Sequence, residues 1–147
     1  MHCGLSPTPA SLEVMGDQRS SSRASVATDD APAALGPYSQ AIVAGGFVFV
    51  SGTPGIDPHT GEVADGIEAQ TEQALRNISA ILEAAGASLV DLVKTTIFYA
   101  DVKDFAKLNE VYSRFMPEPA PARSAPANVA LPRGLLVSIE AIAHLPT

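Results

Sequence analysis

The chain has 147 residues, enough for one domain with a real hydrophobic core and short for two. Hydrophobic residues make up 46% and charged residues 17%; no apolar run reaches the roughly 18 residues of a membrane-spanning helix, so a soluble globular protein is expected. Acids outnumber bases 16 to 9, for a formal charge of −7, which argues against nucleic-acid or anionic-lipid binding driven by bulk charge.

Residues 1–30 differ in composition from the rest. They are rich in Ser, Thr, Pro, Gly and Asp, include the run Arg19-Ser-Ser-Ser-Arg-Ala-Ser25, and lack apolar periodicity. No apolar stretch resembles a secretory signal, and Glu13, Asp17, Asp29 and Asp30 are out of place in a transit peptide. A disordered extension is expected over 1–30, followed by a domain over 31–147 that keeps 12 acids and 7 bases. The only cysteine, Cys3, excludes an internal disulfide framework and points to the cytoplasm. Histidines at 2, 59 and 144 are too scattered for a metal centre, and no metal or other cofactor is expected.

Two β-rich runs, 39–44 and 47–52, flank Gly45-Gly46 and predict a hairpin. Asp57-Pro-His-Thr-Gly61 reads as a turn, with a short strand at Glu62-Val63. Apolar residues at 67, 74, 75, 78, 81, 82 and 85 follow helical spacing, and Gly86 supplies the stop. Leu92 to Ala100 is β-branched and aromatic, hence a strand. Asp104 reads as an N-cap for a helix whose face holds Phe105, Leu108, Val111, Tyr112 and Phe115. Pro117, Pro119 and Pro121 then impose a stiff extended linker. Strands over 124–131 and 135–143, joined by Pro132-Arg-Gly134, complete an α+β domain with two helices on one face of a sheet. The other face is left bare, and self-association would cover it.

No nucleophile elbow, phosphate-binding loop or dinucleotide fingerprint occurs, so chemistry must come from polar residues at strand ends and turns. Arg123, where the proline linker enters a strand, offers a two-pronged donor for a carboxylate; its position alone equally suits an idle surface arginine. Tyr38, after Gly36-Pro37, either points a hydroxyl into a cleft or packs the hairpin end. Ser51-Gly52 could donate to an anion or serve as ordinary turn chemistry, and Asn109 lies at the edge of its helix's buried stripe. Ser138 and Glu140 share one face of the last strand by the period of two; Glu140 needs a partner there if buried and is merely an outward polar residue if not.

Taken together, these stretches resemble the RidA/YjgF reactive-intermediate deaminase family over essentially all of 31–147. The matching blocks are Ala31-Pro-Ala-Ala-Leu-Gly-Pro-Tyr-Ser-Gln40, Phe49-Val-Ser-Gly52, Asp57-Pro-His-Thr-Gly-Glu62 and Val93-Lys-Thr-Thr-Ile-Phe98. Asp104-Phe105, Asn109-Glu-Val-Tyr112, Pro121-Ala-Arg-Ser124 and Ile139-Glu-Ala-Ile-Ala143 follow in order. The resemblance implies a chorismate-mutase-like fold with a mixed sheet, a homotrimer, and sites in the clefts between subunits. It implies hydrolysis of enamines and imines such as 2-aminoacrylate or 2-iminobutyrate to 2-keto acids and ammonia. By position, Arg123 matches the arginine that grips the substrate carboxylate, and Tyr38, Ser51, Gly52 and Asn109 match other cleft residues. Three departures stand out: Ser138 replaces a glutamate thought to orient the attacking water, Ala125 a common cysteine, and Thr53-Pro54-Gly55 a more usual Gln-Ile-Pro. A serine can hold a water but is a poor general base.

Catalysis is therefore expected from Arg123, Tyr38 and Ser138, with the substrate held by Arg123, Ser51, Gly52, Asn109 and Tyr38. The partners expected are a small imine, enamine or keto-acid ligand and further copies of the chain, with no nucleic acid and no membrane. The rival readings are a keto-acid-binding protein without turnover and a pathway-specific deaminase of a larger amino-enol acid. RNA cleavage is a further rival, which the acidic charge and the lack of a basic stripe oppose.

Overall fold

A computed structural model describes residues 22–147. The elements are β1 (Arg23–Val26), β2 (Ala41–Ala44), β3 (Phe47–Pro54), α1 (Gly66–Ala84), β4 (Leu92–Tyr99), α2 (Phe105–Phe115), β5 (Ala122–Ser124) and β6 (Val137–His144). One six-stranded sheet runs in the order β1-β2-β3-β6-β4-β5, antiparallel throughout except for the parallel β4–β5 pair. No helix among the described residues is long and apolar enough to cross a membrane.

Periodicity explains the layers. Alternate residues Val48 and Val50 on β3, Thr95, Ile97 and Tyr99 on β4, and Val137, Ile139, Ala141 and Ala143 on β6 are buried. They pack with Ala74, Leu75, Ile78, Ile81 and Leu82 of α1 and with Leu108 and Tyr112 of α2. Each valine, leucine or isoleucine among them contributes about 1.5–3 kcal/mol by leaving water. The intervening strand residues point away from the helices. There the register aligns Ile42, Phe49, Ile142 and Lys94 across four strands, with Phe49 44% exposed.

Gly45 (φ 59°) and Gly46 (φ 82°) form the two-residue hairpin turn between β2 and β3, where both positions need left-handed backbone. Gly86 (φ 89°) ends α1 as expected: its N–H donates to the Glu83 carbonyl, and the Ala87 N–H to that of Leu82.

Four expectations are corrected. Arg23–Val26, assigned by composition to the extension, is a strand paired with β2; only Val26 is buried, so no apolar alternation announces it. Residues 1–21 of the expected extension lie outside the described residues. The strand expected over 124–131 is only Ala122–Ser124. Beyond it Pro126 has no N–H to give a ladder and Asn128 turns left-handed (φ 60°), though the chain still bonds to Tyr99 through the Pro126 carbonyl and the Val129 N–H. At Glu62-Val63 a single bridge, Ile56 to Val63, replaces the short strand. Asp104 does precede α2, but its side chain caps nothing; Asp101 accepts from the Lys103 N–H in the 3-10 turn ahead of the helix.

Candidate functional site

Arg123 stands on the edge strand β5, registered beside Thr95 of β4. It therefore faces the helix layer, and its half-buried side chain meets one stripe of α2. Phe105, Asn109 and Tyr112 recur at i, i+4 and i+7, the spacing that stacks side chains on one helix face. Arg123 Nη1 donates to Asn109 Oδ1 at 2.7 Å. The guanidinium carbon lies 5.0 Å from the centre of the Tyr112 ring and 5.7 Å from that of Phe105. Tyr112 is tied in turn to Thr95 by a buried 2.6 Å hydroxyl–hydroxyl hydrogen bond. Burial pushes its phenol above the ordinary tyrosine value; the Thr95 hydrogen bond and the Arg123 charge oppose that shift without cancelling it. The remaining Arg123 N–H groups have no hydrogen-bond partner among the described residues. An arginine held by three contacts with donors to spare is suited to a carboxylate.

A second cluster forms at the end of β3. The register with β6 slips by one residue between Val50 and Thr53, so Ser51 and Gly52 occupy a β-bulge without ladder partners on β6. Ser51 Oγ donates to the Ser39 carbonyl at 2.6 Å, which leaves that hydroxyl only as an acceptor for a ligand. Tyr38 is 48% exposed, and its phenol oxygen accepts from the Leu35 N–H at 3.1 Å, so the side chain braces a turn while its ring borders the bulge. Tyr38, Ser51, Gly52 and Pro54 line a pocket of about 20 Å³, room for little more than one water. A cavity of about 420 Å³ lies on the other side of Tyr38, walled by β1 and the loop before β2, and does not touch Arg123.

Ser138 joins the bulge cluster. A Cβ built on Gly52 would sit 3.0 Å from Ser138 Oγ, so the absence of a side chain at 52 keeps the serine accessible. Ser138 is half-buried between Pro54 of β3 and Phe98 of β4, and its hydroxyl makes no hydrogen bond among the described residues. Glu140 lies on the same face opposite Thr96 and is exposed, the outward polar residue of the two options.

The sequence-derived residues thus fall into two groups. Arg123 meets Asn109 on the helix side of the sheet, and Tyr38, Ser51, Gly52 and Ser138 gather around the bulge. Ser138 is registered with Phe98, an odd number of residues from Thr95, so it faces the side of the sheet opposite Arg123. One chain does not bring the two groups into one cleft. Sequence reasoning missed Thr95, Phe105 and Tyr112 as Arg123's supports; the aromatic–amide–aromatic spacing on α2 was the available signal.

The chain is similar to known proteins over the whole of this unit. The family model described as Endoribonuclease L-PSP matches residues 28–145. Reactive Intermediate Deaminase A, chloroplastic, of Arabidopsis thaliana is 49% identical over 141 residues, 95% of this chain and 74% of that protein. The 2-iminobutanoate/2-iminopropanoate deaminase of Salmonella typhimurium is 46% identical over 121 residues, 80% of this chain and 94% of its own length. Among solved structures, RidA from an Antarctic Psychrobacter superposes with a TM-score of 0.81 at 49% identity, covering 83% of this chain and 99% of that one. Escherichia coli TdcF with bound serine gives 0.79 at 40% identity, over 84% and 99%. With the helix-backed mixed sheet and the order of the matching blocks, these similarities show that the chain belongs to the RidA/YjgF family.

Proposed function

We propose that the protein hydrolyses small 2-imino or 2-enamino acids to 2-keto acids and ammonia, and that it does so as a homotrimer with each site formed by two copies. The observation that carries this reading is Arg123, fixed by Asn109 at 2.7 Å with its other donors unengaged. The deaminase names of relatives at 46–49% identity support it, as does the bound serine of TdcF, a small molecule with a carboxylate.

Arg123 grips the substrate carboxylate through paired N–H donors, leaving the imine carbon beside Tyr38 and the Gly52 bulge of a neighbouring copy. A water held by the Ser138 hydroxyl adds to that carbon. The C–N bond then breaks, nitrogen leaves as ammonia, and the water oxygen becomes the keto oxygen. Positioning accounts for the rate, since imines hydrolyse readily and a serine supplies no strong base. The bulge pocket of about 20 Å³ is too small to enclose such a substrate alone. The row of Ile42, Phe49 and Ile142 on the helix-free face gives a second copy an apolar surface to cover.

The rival reading, carboxylate binding without turnover, draws on the same Ser138: the nearest carboxylate on that strand, Glu140, is exposed two residues away. The formal charge of −7 disfavours an RNA substrate.

The test is ammonia and keto-acid release from 2-aminoacrylate generated in situ. Wild type is expected to accelerate it, with kcat/KM falling at least about 100-fold in Arg123→Ala, the loss of a charge-assisted pair of hydrogen bonds. No acceleration by wild type together with activity in Ser138→Glu would favour the binding protein instead.

A further inference from the structure

The orientation of Arg123 has a structural cause of its own. A guanidinium on a three-residue edge strand has little sheet to hold it: β5 pairs with β4 alone. Four rotatable side-chain bonds would leave it free to sweep the cleft. Three contacts oppose that freedom, and all come from the same stripe of α2. Asn109 fixes one nitrogen in the guanidinium plane. The rings of Tyr112 and Phe105 approach the guanidinium at 5.0 and 5.7 Å. Phe105 is 41% exposed with its ring stacked on Tyr99, whereas Tyr112 is buried and hydrogen-bonded. The partner is Thr95, the residue registered with Arg123 itself, whose Oγ1 lies 2.6 Å from the Tyr112 hydroxyl.

We infer that Tyr112, clasped by Thr95, is the positioning residue that aims Arg123 at the ligand carboxylate. The clasp closes a loop of contacts from β4 to α2 to β5 and back to β4, so a rigid strand sets the angle of a side chain on a weak edge. The inference rests on the carboxylate-binding reading of Arg123. The grip on the carboxylate also seats the imine carbon, so loosening Arg123 weakens binding of an unreactive keto acid, raises KM and lowers kcat as well. Loss of folded protein lowers apparent kcat at constant KM and constant probe affinity.

The experiment uses the full chain with 2-oxobutanoate as calorimetric probe and the deamination assay for KM and kcat. Tyr112→Leu removes the ring and the clasp; Tyr112→Phe keeps the ring and is the variant to rely on if the first does not fold. Tyr112→Leu is expected to weaken probe binding and raise KM by roughly tenfold, the scale of a partly desolvated cation–π contact, and Tyr112→Phe by about two- to threefold. In an Arg123→Lys background neither change should weaken binding further, because Tyr112 acts through the guanidinium. Unchanged affinity in folded Tyr112→Leu or Tyr112→Phe, while Arg123→Lys binds poorly, overturns the positioning role and spares the carboxylate site. Equal binding by wild type and Arg123→Ala overturns both.

Discussion

The chemistry of this protein depends on how little each polar residue is left free to do. Ser51 spends its proton on the Ser39 carbonyl and the Tyr38 oxygen accepts from the Leu35 N–H, so both side chains brace the bulge. Ser138 and Arg123 retain unused hydrogen-bonding capacity among the described residues. On the proposed reading, anion binding falls to Arg123 and water binding to Ser138. Tyr112 adds a pH signature. Because burial raises its pKa, the folded chain holds the phenolic proton more tightly than the unfolded chain does. The stability this contributes is complete below about pH 10 and is lost as the pH climbs through the folded-state value. Denaturant midpoints measured from neutral to strongly alkaline pH should fall less steeply in Tyr112→Phe than in wild type; parallel curves would contradict the assignment. Arg123 and Asn109 were legible in the sequence as separate candidates. Their pairing was not, because it depends on which face of α2 meets β5.

At the scale of elements, the bulge depends on a staple from α1. Buried Asn77 donates from Nδ2 to the carbonyls of Pro54 and Ile56, both at 2.9 Å, and its Oδ1 accepts from Gln73. Two carbonyls that leave the ladder where β3 ends are thereby satisfied inside the protein. Asn77→Ala leaves them bare and should cost roughly 2–4 kcal/mol in chemical denaturation, with kcat/KM lowered as the bulge loosens. A loss below about 0.5 kcal/mol would mean that water replaces the amide at no cost. The hairpin at Gly45-Gly46, both helices and the core strand β4 were legible because each carries a strong period or a stop signal. β1 was not, since three of its four residues are exposed and polar or small. The short β5 was misjudged for the opposite reason: β-compatible residues run on to Leu131, but Pro126 and the left-handed Asn128 deny them a ladder.

The whole molecule is where the two half-sites must be reconciled. A flat sheet face bearing Ile42, Phe49 and Ile142 is a poor surface to leave in water, and Ser138 lies on that same face. Arg123 lies on the other side of the sheet, at its far edge. On the proposed two-copy site, association through the bare face would bring the bulge of one copy to the arginine edge of the next, which one copy cannot achieve alone. The sequence already implied a bare face, from two helices against one sheet; the separation of the site residues between the faces needed the register. The most direct measurement is complementation. Arg123→Ala and Gly52→Val, which crowds Ser138, should each be inactive as pure oligomers. Co-refolded in equal amounts, they should regain about a quarter of wild-type deaminase activity, the share of interfaces that join two intact halves. Mixed oligomers that form and remain inactive, beside an active wild type, would contradict a site built from two copies.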